Sequence, residues 1–471
     1  MSRAARWIPA LLAVGLVAGA VETWRLEGAV PVSTTGGPSQ VAVTPVLSVR
    51  RLPGVLAAPV AARRLRIDLA ALTAFLPDAS CLVVDGPSAL RYEWHGDASL
   101  VPASNQKLLT ATAALDALGR STRFRTKVVG PPLGAGGVVV GDLTLVGGGD
   151  PILATADYVA RFRNQPQTFT DLDGLAGKLW GVGVRQVTGS VVGDESRYDT
   201  ARQVAGWPAR YAAQNVIGPL SALSVNDGFA TYPTTLGGGT LEAAPAPAVD
   251  AAGALTRLLE ARGIDVVGEP RAGAAPPGSV ELATIESPPM VEVVGQMLRE
   301  SDNNTAELLT KEIGHRAGDP TTAGGTAVIE GVAAGELGRG VHVADGSGLS
   351  LDDRVTCALL VDLLERPGTG STVVDGLAVA GRSGTLAERF VGTPLVDVLQ
   401  AKTGSLTSVT ALSGVVHDAD PPLTFALVVN AAAPTPVPPG VAALQERVAE
   451  TLLAWPRAPD VSRLGPVVAE G

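Results

Sequence analysis

Ser104-Asn105-Gln106-Lys107 is the only Ser-x-x-Lys in a chain with just five lysines, Lys107, Lys127, Lys178, Lys311 and Lys402, against 31 arginines. Where arginine is the default cation, a lysine points to work a guanidinium cannot do. A desolvated ammonium can release its proton and act as a base; arginine cannot. Downstream of Ser104, Leu108, Leu109, Ala111, Ala114, Leu115 and Leu118 recur at helical spacing up to Gly119, a helix stop. A helix therefore starts at Ser104 and puts Lys107 on the same face, one turn on. Alone, a serine at a helix start with a lysine three residues later is ordinary surface capping. Two later stretches change that reading.

The first is Ser301-Asp302-Asn303, between one apolar helical pattern (Val291, Val294, Met297, Leu298) and another (Ala306, Leu309, Ile313). A junction between two helices can present side chains to a cleft. A competing Ser224-Val225-Asn226 runs into the turn residues Asp227-Gly228 and has no helix around it. The second is Lys402-Thr403-Gly404, read as closing a strand (Leu395–Lys402) that is followed by strands Thr407–Val416 and Leu423–Asn430 and a helix Val441–Trp455. Strands joined by such short turns are antiparallel neighbours. A glycine at a strand edge lets an extended peptide approach, while lysine and threonine can hold a carboxylate.

The ordered trio S-x-x-K, S-D-N, K-T-G resembles that of the penicillin-binding proteins and serine β-lactamases. The 197-position separation of Ser104 and Ser301 resembles the long insertion of one branch, the D-alanyl-D-alanine carboxypeptidase/endopeptidase family (class C low-molecular-mass penicillin-binding proteins). Further similar stretches are Gly147-Gly148-Gly149-Asp150-Pro151, Gly218–Gly228, Asp345–Ser350 and Ala380–Leu386. The resemblance covers about residues 43–455. It implies an α/β (α+β) fold: a penicillin-binding transpeptidase/β-lactamase-like lobe with a five-stranded antiparallel sheet flanked by helices, plus an inserted α/β domain.

It also implies roles. Ser104 would be the acylating nucleophile and Lys107 its base. Ser301 would relay a proton to the departing D-alanine, and Asn303 would bind the peptide amide. Lys402 and Thr403 would hold the terminal carboxylate beside Gly404. The backbone N–H groups of Ser104 and Ser405 would form the oxyanion hole. The expected partners are peptidoglycan stem peptides ending in D-Ala-D-Ala, with β-lactams as inhibitors and no cofactor. Asp345–Ser350 reads equally as a cleft element and as a tight glycine turn. A serine β-lactamase of class A would need a Glu-x-x-Leu-Asn loop, and none of Glu307, Glu312, Glu330, Glu336, Glu365 or Glu388 begins one. A non-catalytic wall-binding or antibiotic-sensing relative should have lost Ser104, Lys107 or Lys402.

The rest of the chain sets bounds. At 471 residues it has room for two or three domains. A net charge of −10 without basic clusters argues against nucleic acid. His95, His315, His342 and His417 are scattered without ligand spacing, which argues against a metal site. Arg3 and Arg6 precede an apolar run, Trp7 to Val21, with Ala18-Gly19-Ala20 as a cleavage-like site. The run is short for a spanning helix, so residues 1–25 read as a secretory signal, or else an anchor that would tie the protein to a membrane. Either places it outside the cytoplasm. Residues 26–61 read as a linker, 62–121 and 286–456 as the two parts of the catalytic lobe, 122–285 as the insertion and 457–471 as a tail. Within the insertion, Val138–Val146 reads as a hairpin turning at Gly141-Asp142, Val184–Val192 as a strand, and Leu172–Trp180 and Val249–Arg262 as helices. Cys81 lies in the apolar strand Ser80–Val84 of a hairpin with Ala89–Trp94, and Cys357 in a helical run. They pair in an exported protein or stand as two separate buried thiols.

Overall fold

The computed structural model describes residues 52–87, 90–233, 240–337, 340–419 and 421–456. The segment read as signal or anchor, and the tail 457–471, lie outside the described residues. A helix, Leu52–Thr73, already occupies the end of the span read as linker. Ala61, Leu65, Leu69 and Leu72 recur along it every three or four residues and are buried against the sheet. The periodicity was present in the sequence, but Pro59 within it reads as a break.

The main sheet runs Ala378–Val379, Leu399–Leu406, Val409–Val416, Leu423–Asn430, Ser80–Gly86, Leu90–Trp94 in spatial order, all antiparallel. The expected five strands are there, and the two-residue Ala378–Val379 adds a sixth at the edge. Both faces are covered, so its strands are apolar at nearly every position. Cys81, Val83, Ala411, Val415, Ala426 and Val428 face one core, shared with the helices Gln106–Ala117, Met290–Glu300, Asn303–Ala317 and Cys357–Glu365. Leu82, Val84, Leu412, Val416, Phe425 and Leu427 face the other, closed by Leu52–Thr73 and Val441–Leu453. A disulfide joins Cys81 in the strand to Cys357 at the start of its helix, with Cα atoms 5.9 Å apart.

After the Gln106–Ala117 helix the chain enters a second set of sheets. Arg125–Gly130 leads in and Val280–Glu286 leads out, as antiparallel neighbours with Arg125 opposite Glu286. Ser287 closes this gate: its backbone N–H donates to the Phe124 carbonyl and its Oγ accepts from the Phe124 N–H, each at 2.9 Å. Ser287 therefore caps no helix; Pro289 is the N-cap of Met290–Glu300. Entry and exit side by side let some 150 residues leave the lobe without disturbing it. The excursion has its own core around Leu143, Leu145, Leu175, Val191, Leu255 and Ile285.

The hairpin expected over Val138–Val146 does not form. Val138–Val139 pairs parallel with Gln186–Val187 in a three-stranded sheet, whereas Leu143–Val146 pairs parallel with Val191–Asp194 in a five-stranded one. Gly141-Asp142 carries the chain between sheets, with Asp142 Oδ1 accepting from Ser190 N (2.8 Å) and the Gly141 carbonyl from Gly189 N (3.0 Å). The same crossing splits the expected strand Val184–Val192 in two at Gly189. Among the described residues no helix is long and apolar enough to cross a membrane.

Candidate active site

Ser104 lies in a single 3-10 turn, Ala103–Asn105, that runs directly into the helix Gln106–Ala117. The turn is strained: buried Ala103 has φ +48°, a left-handed conformation seldom adopted by residues other than glycine. Two glycines press against it. A Cβ on Gly348 would sit 1.9 Å from the Ala103 carbonyl oxygen, and one on Gly404 would sit 2.9 Å from that of Pro102. The Lys402-Thr403-Gly404 strand and the Asp345–Ser350 loop thus close on the serine from different elements.

Lys107 is fully buried, and its amine reaches Ser104 Oγ (3.2 Å), Asn303 Oδ1 (2.8 Å) and the Ser347 carbonyl (2.7 Å). Those three contacts use the three donors of an ammonium. Burial pushes its pKa down to about 8, opposed by the negative charges of Asp345, Asp302, Glu307 and Asp353. A lysine so tuned can accept a proton near neutral pH.

Ser301 sits between the helices Met290–Glu300 and Asn303–Ala317 at φ +61°. Asp302 N-caps the second helix, accepting from Asn304 N and Thr305 N, so the acid of the Ser-Asp-Asn stretch is spent on the fold. The flanking residues face the cleft: Asn303 on Lys107, and Ser301 Oγ on the amine of Lys402 at 2.8 Å. Lys402 also donates to its neighbour's carbonyl, Thr403 O, at 2.9 Å. Burial, and then the nearby Lys107 charge, hold its pKa well below the usual lysine range. The Lys-Thr-Gly stretch does not end its strand; pairing continues to Leu406 opposite Val409. Its side chains therefore stand in the middle of an edge region, and Thr403 Oγ1 lies 2.9 Å from Thr385 Oγ1. Ser405 is the next residue and is exposed.

The structure thus joins Ser104, Lys107 and Asn303 by hydrogen bonds and, as a second pair, Ser301 and Lys402, with Thr403, Gly404 and Ser405 along the adjoining strand. The competing Ser224 and Asn226 lie elsewhere: Asn226 Oδ1 accepts from Thr155 N at 2.8 Å and holds the excursion together. Sequence reasoning passed over Thr385 and over the Ser347 carbonyl, a backbone group with no signature of its own. It weighed Glu307 only as a deacylating base. Glu307 lies instead beneath the loop, its Oε1 accepting from Gly346 N (3.0 Å) and Ser347 N (2.7 Å). An acid inside the apolar pattern Ala306, Leu308, Leu309 was the available signal. From the excursion, Trp207 Nε1 donates to Asp345 Oδ2 (2.7 Å) and Tyr211 Oη to the Leu349 carbonyl (3.2 Å).

A serine beside a strained residue, a buried lysine touching it and a second buried lysine nearby fit a serine enzyme that needs no histidine. The chain belongs to the D-Ala-D-Ala carboxypeptidase 3 (S13) family, which it matches over residues 86–240 and 239–450. It is 32% identical over 400 residues to carboxypeptidase DacB of Mycolicibacterium smegmatis, covering 81% of each chain. With the D-alanyl-D-alanine carboxypeptidase of Actinomadura sp. it shares 31% over 468 residues, 81% of this chain and 82% of the other. The fold matches the crystal structure of penicillin-binding protein 4 (dacB) from Haemophilus influenzae at TM-score 0.66 and 20% identity, over 82% of this chain and 99% of that one. A complex of that protein with a β-lactam matches at TM-score 0.59. Membership makes the chain a serine hydrolase of the D-Ala-D-Ala carboxypeptidase type.

Proposed function

We propose that the protein cleaves the terminal D-Ala-D-Ala bond of peptidoglycan stem peptides, or the equivalent D-amino-acid bond of a cross-link, through an acyl-enzyme on Ser104. The observation that carries this is the fully buried Lys107 amine in contact with both Ser104 Oγ and Asn303 Oδ1. Ser104 Oγ attacks the scissile carbonyl carbon as its proton passes to Lys107. The C–N bond then breaks, and Ser301 relays a proton to the departing amine. Asn303 holds the substrate amide. Lys402, with Thr403, receives the terminal carboxylate, and Gly404 leaves room for the peptide along the strand. The Ser104 and Ser405 backbone N–H groups receive the developing oxyanion, worth about 3–4 kcal/mol of barrier per donor. Water then releases the acyl group.

Residues 122–285 act as an inserted domain that shapes the cleft, a reading supported by the Trp207 and Tyr211 contacts to the Asp345–Ser350 loop. The work lies in the cell envelope, where the substrate is. Residues 1–25, as signal or anchor, would deliver the chain there, and the Cys81–Cys357 disulfide suits an oxidising compartment. A β-lactam mimics the acyl-D-Ala-D-Ala terminus, so a fluorescent penicillin should label the protein covalently and Ser104→Ala should not be labelled. Labelling that survives Ser104→Ala overturns the assignment. Rapid consumption of the β-lactam with no adduct would instead make the chain a β-lactamase.

A further inference from the structure

We propose that Glu307 is a positioning residue for the base: it holds the turn that sets the Ser347 carbonyl on the Lys107 amine. This rests on the roles of Ser104 and Lys107 proposed above. Glu307 follows Asn303 by four residues on one helix, so both lie on the same face. That helix thus delivers one acceptor to Lys107 directly and supports a second. Glu307 is completely buried, and its Oε1 accepts from two consecutive backbone N–H groups, Gly346 and Ser347. Asp345 Oδ1 holds the next peptide, accepting from Gly348 N at 2.6 Å. From the nucleophile helix, Thr110 Oγ1 donates to the Gly346 carbonyl at 2.7 Å. The peptides on either side of Ser347 are therefore pinned, and its carbonyl has one orientation, toward Nζ at 2.7 Å.

Among the described residues, the second carboxylate oxygen of Glu307 has no hydrogen-bond partner. Burial and the neighbouring Asp345 push the Glu307 pKa up to about 8, so the side chain is mainly a neutral acid at pH 7. Its contribution is then hydrogen-bond acceptance at Oε1, which a glutamine supplies equally. The titratable groups facing Lys107 are Asp345, Asp302, Glu307, Asp353 and Lys402. Only the charged share of Glu307, the minor one at pH 7, is lost in Glu307→Gln, whereas Glu307→Ala strands two buried N–H groups and frees the turn to rotate.

The test is the rate of covalent labelling by a fluorescent penicillin across about pH 6 to 10, for wild type, Glu307→Gln, Glu307→Ala and Thr110→Val. Glu307→Ala should lower the plateau rate by about 10- to 100-fold, as a misplaced base does. It should also move the acidic limb to lower pH, because a carbonyl acceptor favours the charged amine and is no longer there. Glu307→Gln should stay within about threefold of wild type with its limb in place. Thr110→Val loosens the same peptide from the other side and should lower the plateau by about threefold. It decides the matter if Glu307→Ala fails to fold. A folded Glu307→Ala with wild-type plateau and limb overturns the proposal, as does a Glu307→Gln as impaired as Glu307→Ala. With Glu307→Ala unfolded, an unimpaired Thr110→Val overturns it too. A wild type that takes no label at all refutes the proposed function instead.

Discussion

Replacing Lys107 by arginine keeps a positive charge beside Ser104 and removes the base, so it separates two explanations for that lysine. With its pKa lowered to about 8, about one amine in eleven is neutral at pH 7, against about one in 3,000 for an unperturbed lysine. Burial therefore raises the population of competent base roughly 300-fold. A guanidinium, with a pKa above about 12, leaves fewer than about one in 100,000 neutral. A positioned general base contributes about 10²–10⁴-fold, so Lys107→Arg and Lys107→Ala should both lose about that much acylation. Wild-type acylation should rise about tenfold per pH unit below about pH 8 and level off above it, because the competent form is the deprotonated one. Single-turnover labelling with a fluorescent penicillin measures both, and near-ultraviolet circular dichroism checks that each variant is folded. The arginine is bulkier than the fully buried lysine. If it does not fold, Lys107→Ala and the wild-type limb carry the test. An arginine variant acylating within tenfold of wild type, or a wild type indifferent to pH between about 6 and 9, would refute the reasoning.

Lys402→Ala should cost activity on a D-Ala-D-Ala terminus by about 2–5 kcal/mol, and far less on an ester lacking the terminal carboxylate; equal losses on both would move Lys402 into the acylation machinery. Gly348→Ala forces a Cβ against the Ala103 carbonyl at a residue with φ +79°, so acylation should fall more than about tenfold while the circular dichroism spectrum is kept; unchanged acylation would mean the turn under Ser104 tolerates movement. The double variant Cys81→Ser/Cys357→Ser should lose about 2–5 kcal/mol of stability in urea unfolding and keep its acylation rate at low temperature, since the disulfide ties strand to helix away from Lys107 and Lys402.

Much of the lobe was legible because its elements are locally specified. Leu423–Asn430 appears as a strand with the bounds its apolar run suggested, and the Ser80 hairpin forms from its alternating strands, although Asp85 and Gly86 extend the first strand, pairing with Arg91 and Leu90. The excursion was less legible because several of its strands pair in parallel across long separations. Val138–Val139 and Leu143–Val146 are adjacent in sequence and look like a hairpin, yet each finds a parallel partner some fifty residues later. Local turn chemistry says nothing about partners that distant.

The sequence by itself determined the chemistry: one Ser-x-x-Lys, a Ser-Asp-Asn between helices and a Lys-Thr-Gly in a strand, in a chain where lysine is rare enough to carry meaning. It did so because helical spacing ties Ser104 to Lys107, and the order of short motifs is written in the chain. Only the tertiary structure decided which buried lysine touches which serine: Lys107 meets Ser104 and Asn303, and Lys402 meets Ser301. It alone supplied the Ser347 carbonyl and the Glu307 beneath it. Those depend on a backbone turn folded 240 residues from Lys107, and on the complete removal of water that lowers the pKa of a lysine. Desolvation is a property of everything packed around a group, and no local pattern of residues encodes it.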